Sequence, residues 1–110
     1  MNSVVLIGQP AETPKFSFVG NDFCCTFKLN VQRIPNKKQR HGTHNTQTID
    51  CIPIVLWNRQ ARFARRHFKD SSCTKYLVMI TGEIHICYYY KDSHLEWTPK
   101  VIGDNIVIVG

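Results

Sequence analysis

Apolar and polar residues alternate along most of this chain with the period of two that marks strands. From Phe23 to Arg33, Phe23, Cys25, Phe27, Leu29 and Val31 form one face, and Cys24, Thr26, Lys28, Asn30 and Gln32 form the other. The first set reads as a core face. Ser3 to Gly8 is an earlier strand whose Val4, Val5, Leu6 and Ile7 are all apolar. An unbroken run implies burial on both faces, one of them against another subunit. Gly8, Pro10 and Pro14 interrupt it, and it resumes from Lys15 to Val19. Gly20-Asn21-Asp22 then signals a hairpin. Ile49 to Trp57 is the third strand, with Ile52, Ile54 and Leu56 opposed to Cys51, Pro53, Val55 and Trp57. Pro53 has no ladder donor, so this strand should be an edge or bulged there.

The period then lengthens. Asn58 suits an N-cap, and residues 58–69 read as a helix of about three turns. Ala61, Ala64 and Phe68 make its apolar stripe, with Phe63 and His67 beside it. Arg59, Arg62, Arg66 and Lys69 line the opposite side, with Arg65 between, and read as a solvated outer face in preference to a nucleic-acid contact. Lys75 to Ile86 is a fourth strand that continues to Tyr90, with Gly82 at a bend or bulge. Residues 91–94 turn the chain, Leu95 to Ile102 returns as a fifth strand, and Asn105 to Val109 follows a break at Gly103-Asp104. The expected order is β-β-β-α-β-β in one domain over residues 1–110.

Between residues 34 and 48 the alternation stops. No acid occurs between Asp22 and Asp50, whereas Lys28, Arg33, Lys37, Lys38 and Arg40 are all basic. A loop this long is uncommon in a compact domain. It reads as a basic arm that orders on a phosphate backbone, in preference to a solvated hairpin extension. The whole chain carries a net charge of +6, which favours a polyanion: nucleic acid first, an anionic membrane surface second. Tyr88, Tyr89 and Tyr90 end the fourth strand, and alternation turns at least one of them outward, where it can stack on a base.

Other classes are set aside. The amino terminus lacks a basic n-region, and its apolar run is too short for a signal peptide or a span, so a cytoplasmic protein without a membrane partner is expected. Five cysteines without a CxxC spacing read as reduced thiols. His41, His44 and Cys51 lack zinc spacing, so neither a metal nor another cofactor is expected. No nucleophile elbow, phosphate-cradling loop or carboxylate pair points to an enzyme.

One helix after the third strand is the order of the five-stranded oligonucleotide/oligosaccharide-binding (OB) barrel, an all-β fold with its helix between strands three and four. MNSVVLIG, FKLNVQR, IVLWNRQARFARRHF, GEIHICYY and VIGDNIVIV, taken in order, resemble bacterial single-stranded DNA-binding proteins, with primosomal replication protein N as a relative. The resemblance implies stacking of DNA bases on aromatics and phosphate contacts from basic residues, in replication, recombination or repair in the bacterial cytosol or nucleoid. It also implies a homo-oligomer, a tetramer in preference to a dimer, and replication or restart proteins as partners. Trp57 matches the aromatic that ends strand three, Tyr89 that of the hairpin, and residues 33–40 the start of the basic loop. His85 and Cys87 share Tyr89's face, where the family often has basic residues. Ile34-Pro35 and Cys51 stand where many members have aromatics, so Tyr88, Tyr90 or Trp97 would compensate. The family usually continues into a linker and an acidic tip; here Gly110 follows the last strand, as expected of a short member.

Alternation turns Tyr88 inward with Ile84 and Ile86 and leaves Tyr89 outside. The stacking candidates are Trp57, Tyr89, Tyr90 and Trp97, the last equally readable as interfacial core. The phosphate and groove candidates are Lys28, Arg33, Lys37, Lys38, Arg40, His85, Lys91 and Lys100. A replication-restart assembly protein and an RNA-binding OB module are the alternative functions.

Overall fold

The computed structural model describes residues 1–33 and 48–110. It contains β1 (Val4–Pro10), β2 (Lys15–Val19), β3 (Asp22–Gln32), β4 (Ile49–Trp57), α1 (Arg59–His67), β5 (Val78–Lys91) and β6 (His94–Ile108), with a short 3-10 turn, Ser71–Lys75, before β5. The strands run β1-β5-β6-β4-β3-β2, and Gln9 and Pro10 of β1 also pair with Asn30 and Leu29 of β3. That last pairing closes a barrel, with β2 continuing along β3.

Two expectations about order are corrected. The interrupted first strand is two separate strands, because Pro14 cannot continue the ladder, so the described residues form six strands. The helix therefore lies between β4 and β5, the fourth and fifth strands, not the third and fourth. Gly103-Asp104 does not break the last strand either. Thr81 pairs with Asn105 and Gly82 with Gly103, so Asp104 is a bulge residue and β6 runs on. Its carboxylate accepts a 2.8 Å hydrogen bond from the Thr81 hydroxyl. Gly103 is a close approach: a Cβ there would stand 2.6 Å from Leu56 Cδ2.

The core follows the alternation. Cys25, Leu29, Leu56, Val78 and Ile80 are fully buried, and Ile54, Val101 and Ile106 nearly so. Helix α1 plugs the barrel with Ala61 and Ala64, and Phe68 just beyond it is fully buried. Pro53 sits where β4 bonds to β3 alone, since the parallel pairing with β6 starts at Ile54. Asn58 occupies the N-cap position but makes no side-chain cap. Instead its Oδ1 accepts from Phe23 N at 3.0 Å and its Nδ2 donates to Asp22 Oδ1 at 3.1 Å, tying the helix start to the head of β3. It holds this geometry at φ 49°, outside the range most residues favour.

Beyond Ile84 and Val101, where the pairing of β6 with β4 ends, β5 and β6 leave the barrel as a two-stranded ribbon. Asn2 anchors its base: Nδ2 donates to Ile84 O at 2.6 Å, and Ile84 N donates to Oδ1 at 2.9 Å. The expected inward face of Ile84, Ile86 and Tyr88 is therefore corrected. All three are exposed, because no other element among the described residues covers the ribbon.

Candidate nucleic-acid interface

Strand register assigns each candidate to a face. Cys24 pairs with Trp57, Thr26 with Val55 and Lys28 with Pro53, so these residues share the outward face of β3 and β4. Parallel pairing of Val55 with Ile102 carries that face onto β6. From Ile102 it continues along the ribbon through His85–Lys100, Cys87–Thr98, Tyr89–Glu96 and Lys91–His94. One continuous surface thus holds Trp57, Lys28, Lys100, His85, Tyr89 and Lys91. Tyr90 and Trp97, which pair with Leu95 and Tyr88, lie on the ribbon's opposite face.

The surface is grooved. A cavity of about 250 Å³ is lined by Lys15, Lys28, Pro53, Val55 and Lys100, so Lys28 and Lys100 converge although 72 positions separate them in the chain. Lys100 and Pro53 also border a second cavity of about 380 Å³ at the barrel mouth, together with Val4, Leu6, Cys51 and Ile84. Trp57 and Tyr89 are both exposed enough for a planar ligand to reach them.

Electrostatics modulates this set. Arg33 grips Asp50 through Nη2–Oδ1 at 2.6 Å and Nε–Oδ2 at 3.2 Å. Arg33's hydrogen bonds, assisted by its charge, hold the Asp50 carboxyl below its ordinary range. Arg33 is thus occupied, which the sequence could not show, because the two lie 17 positions apart. His85 Nε2 lies 3.2 Å from the Glu83 carboxylate. Lys37, Lys38 and Arg40 fall outside the described residues. Sequence reasoning missed Lys15, which borders the cavity of Lys28 and Lys100; its alternation against Phe16 was the available signal. Among the described residues no three metal-ligating side chains come together, and no helix is long and apolar enough to cross a membrane.

Across residues 1–108 the sequence matches the Single-strand binding protein family. The chain belongs to that family. Among similar proteins, single-stranded DNA-binding protein 1 of Clostridium acetobutylicum is 26% identical over 110 residues, covering 96% of this chain and 91% of that protein. The single-stranded DNA-binding protein of Clostridium tetani is 28% identical over 109 residues, covering 96% of this chain and 68% of its own. Among solved structures, a Plasmodium falciparum SSB complex with ssDNA superposes with a TM-score of 0.81 at 16% identity, covering 100% of this chain and 96% of the other. That likeness shows the fold, the expected OB barrel.

Proposed function

We propose that this protein binds single-stranded DNA with little sequence preference and serves DNA replication, recombination or repair. Family membership supports the ligand, and the members are DNA-binding proteins, not enzymes. The observation that carries the mechanism is the single surface on which Trp57, Tyr89, Lys28, His85, Lys91 and Lys100 converge. Bases stack on the two aromatics, each contributing about 1–3 kcal/mol. The cations meet the phosphates and release counterions. Lys37, Lys38 and Arg40, which lie outside the described residues, are further phosphate candidates by their charge, and Arg33 joins the described cations when it leaves Asp50. Every base offers a π face, so the arrangement reads no sequence.

The protein acts as a homo-oligomer, a tetramer in preference to a dimer, in the bacterial cytosol or nucleoid, where it meets replication or restart proteins. β1 supports the oligomer. Its edge is open over residues 4–8 except for its pairing to β5, and Val5 and Ile7 are exposed on its outward face. The test is titration with an oligo-dT strand at several salt concentrations. Tight binding with a steep negative slope of log K on log salt is expected. Full affinity in Trp57→Ala/Tyr89→Ala would remove the stacking assignment, and a stronger preference for matched RNA would favour the RNA-binding alternative.

A further inference from the structure

The ribbon departs from the rest of the chain in charge. The whole protein carries +6 with its histidines neutral. From Glu83 at the ribbon base to Lys100, however, two lysines, Lys91 and Lys100, stand against three carboxylates, Glu83, Asp92 and Glu96. The part of the molecule that offers Tyr89 to a strand is therefore net negative by one charge while His85 and His94 are neutral, and net positive by one when both are protonated.

Both histidines lie on the face of Tyr89. Direct cross-strand partners share a face, and the pairs His85–Lys100, Cys87–Thr98, Tyr89–Glu96 and Lys91–His94 follow one another along it. Both are exposed. Their surroundings match. Each has a lysine directly across the ribbon, Lys100 for His85 and Lys91 for His94. Each has a glutamate two residues along its own strand, hence on its own face, Glu83 for His85 and Glu96 for His94. His85 Nε2 lies 3.2 Å from Glu83 Oε2. Asp92 occupies the two-residue turn beside His94. On the barrel side, Lys15, Lys28 and Glu12 border the cavity of Lys100, the partner of His85.

We infer that His85 and His94 act as proton-gated phosphate contacts, so that proton uptake turns the Tyr89 face of the ribbon from repelling a single strand to holding it. The inference rests on the proposed function and adds to it a binding residue, His94, and a condition. Glu96 supplies the reason for the condition. It stands directly opposite Tyr89, so a base stacked on that ring brings its phosphates near a carboxylate. An imidazolium at His94, diagonal to Tyr89 across the ribbon, offsets Glu96, and one at His85 offsets Glu83. Lys91 and Lys100 are then left for the strand. Histidine is the side chain whose charge ordinarily changes between about pH 5 and 8. Linkage is reciprocal, so a strand that binds the protonated ribbon more tightly must also draw protons onto it.

The test is titration with oligo-dT over a series of salt concentrations at pH 5.5 and pH 8, for the parent and for His85→Gln/His94→Gln, with circular dichroism to check the fold. Neither thymine nor a phosphodiester changes charge between those values. The Arg33–Asp50 pair also stays intact, because Asp50's pKa is lowered from 3.8. The parent's log K–log salt slope should be steeper at pH 5.5 by up to about 1.4, two single-strand contacts at ~0.7 each, with affinity at 0.1 M salt roughly tenfold higher. The variant should behave at both pH values as the parent does at pH 8. Proton uptake on adding dT to the unsubstituted protein in weak buffer at pH 6.5 is a second readout that needs no variant, and its absence would overturn the inference. Equal slopes and affinities for the parent at the two pH values would also overturn it and leave DNA binding standing. A pH difference that survives in His85→Gln/His94→Gln would overturn it as well and assign the protons to His41, His44 or His67. No dT binding at either pH would instead remove the proposed function, and this inference with it.

Discussion

The two tryptophans sit on opposite faces, and that makes stacking measurable one residue at a time. Trp57 belongs to the cationic surface and Trp97 to the apolar side of the ribbon. On adding oligo-dT, fluorescence quenching should persist in Trp97→Phe and largely vanish in Trp57→Phe. Trp57→Ala should weaken binding roughly tenfold or more, since each stacked base is worth about 1–3 kcal/mol. Arg33 offers a second single-residue test. Asp50 holds it through two hydrogen bonds, so Asp50→Asn should both free a cation and remove an acid. Tighter dT binding is expected, with a log K–log salt slope steeper by about 0.7, the increment of one more phosphate contact on a single strand. Unchanged slope and affinity would place Arg33 away from the strand's path. Acidification acts in the same direction. Because Asp50's pKa is lowered in the fold, the pair is intact above the ordinary carboxylate range and breaks only as pH falls through the depressed value.

At the scale of elements, α1 carries four arginines, and none has a carboxylate within ion-pair distance among the described residues. Arg65 is engaged otherwise, with Cζ 5.6 Å from the centre of the Phe23 ring. The others point away from the stripe of Ala61 and Ala64 and read as solvated. Arg62→Gln/Arg66→Gln should therefore leave the salt slope within one contact of the parent. Lys28→Gln/Lys100→Gln, at the shared cavity, should lower it by more than one. Asn58 ties the same helix to the rest of the fold. Asn58→Ala would strip the Phe23 N–H of its acceptor, which costs about 1–3 kcal/mol for a buried donor, and keep the unfavourable φ. A melting temperature several degrees lower should follow, with dT affinity at low temperature unchanged. These elements also show what sequence can convey. The faces of β3 and β4 and the bulge near Gly82 were legible because alternation and turn residues are local signals. Whether a face is covered is not local. Ile84, Ile86 and Tyr88 carry the pattern of a core strand, yet lie bare on a ribbon because no other element among the described residues reaches them. Likewise Asn58 has the chemistry of a cap, and only the spatial nearness of Phe23 redirects it.

For the whole molecule, the buried thiols couple folding to alkaline pH. Cys25 is fully buried, and burial pushes its pKa up from 9.0 to about 12, with the neighbouring Cys24 adding to the rise. Burial also raises Cys24, and Cys73 within the 3-10 turn. A thiol whose pKa is raised by folding stays protonated in the barrel while the unfolded chain ionises. Its contribution to stability is full below the unfolded value, falls as pH rises past 9, and is gone by about 12. For Cys25 alone the slope approaches about 1.4 kcal/mol per pH unit within that window. Urea unfolding under reductant at pH 8, 9, 10 and 11 should show a flat stability followed by a decline. The same series on Cys25→Val, which keeps an apolar side chain of similar size and cannot ionise, should show a shallower decline. Tyrosine and lysine ionisation act on both proteins alike, so the difference between the two curves isolates the thiol. Parallel curves would mean that the barrel opens to solvent at Cys25 well before it unfolds. The core formed by β3 and β4, which also positions Trp57 and Lys28 on its outer side, would then be less rigid than its packing implies.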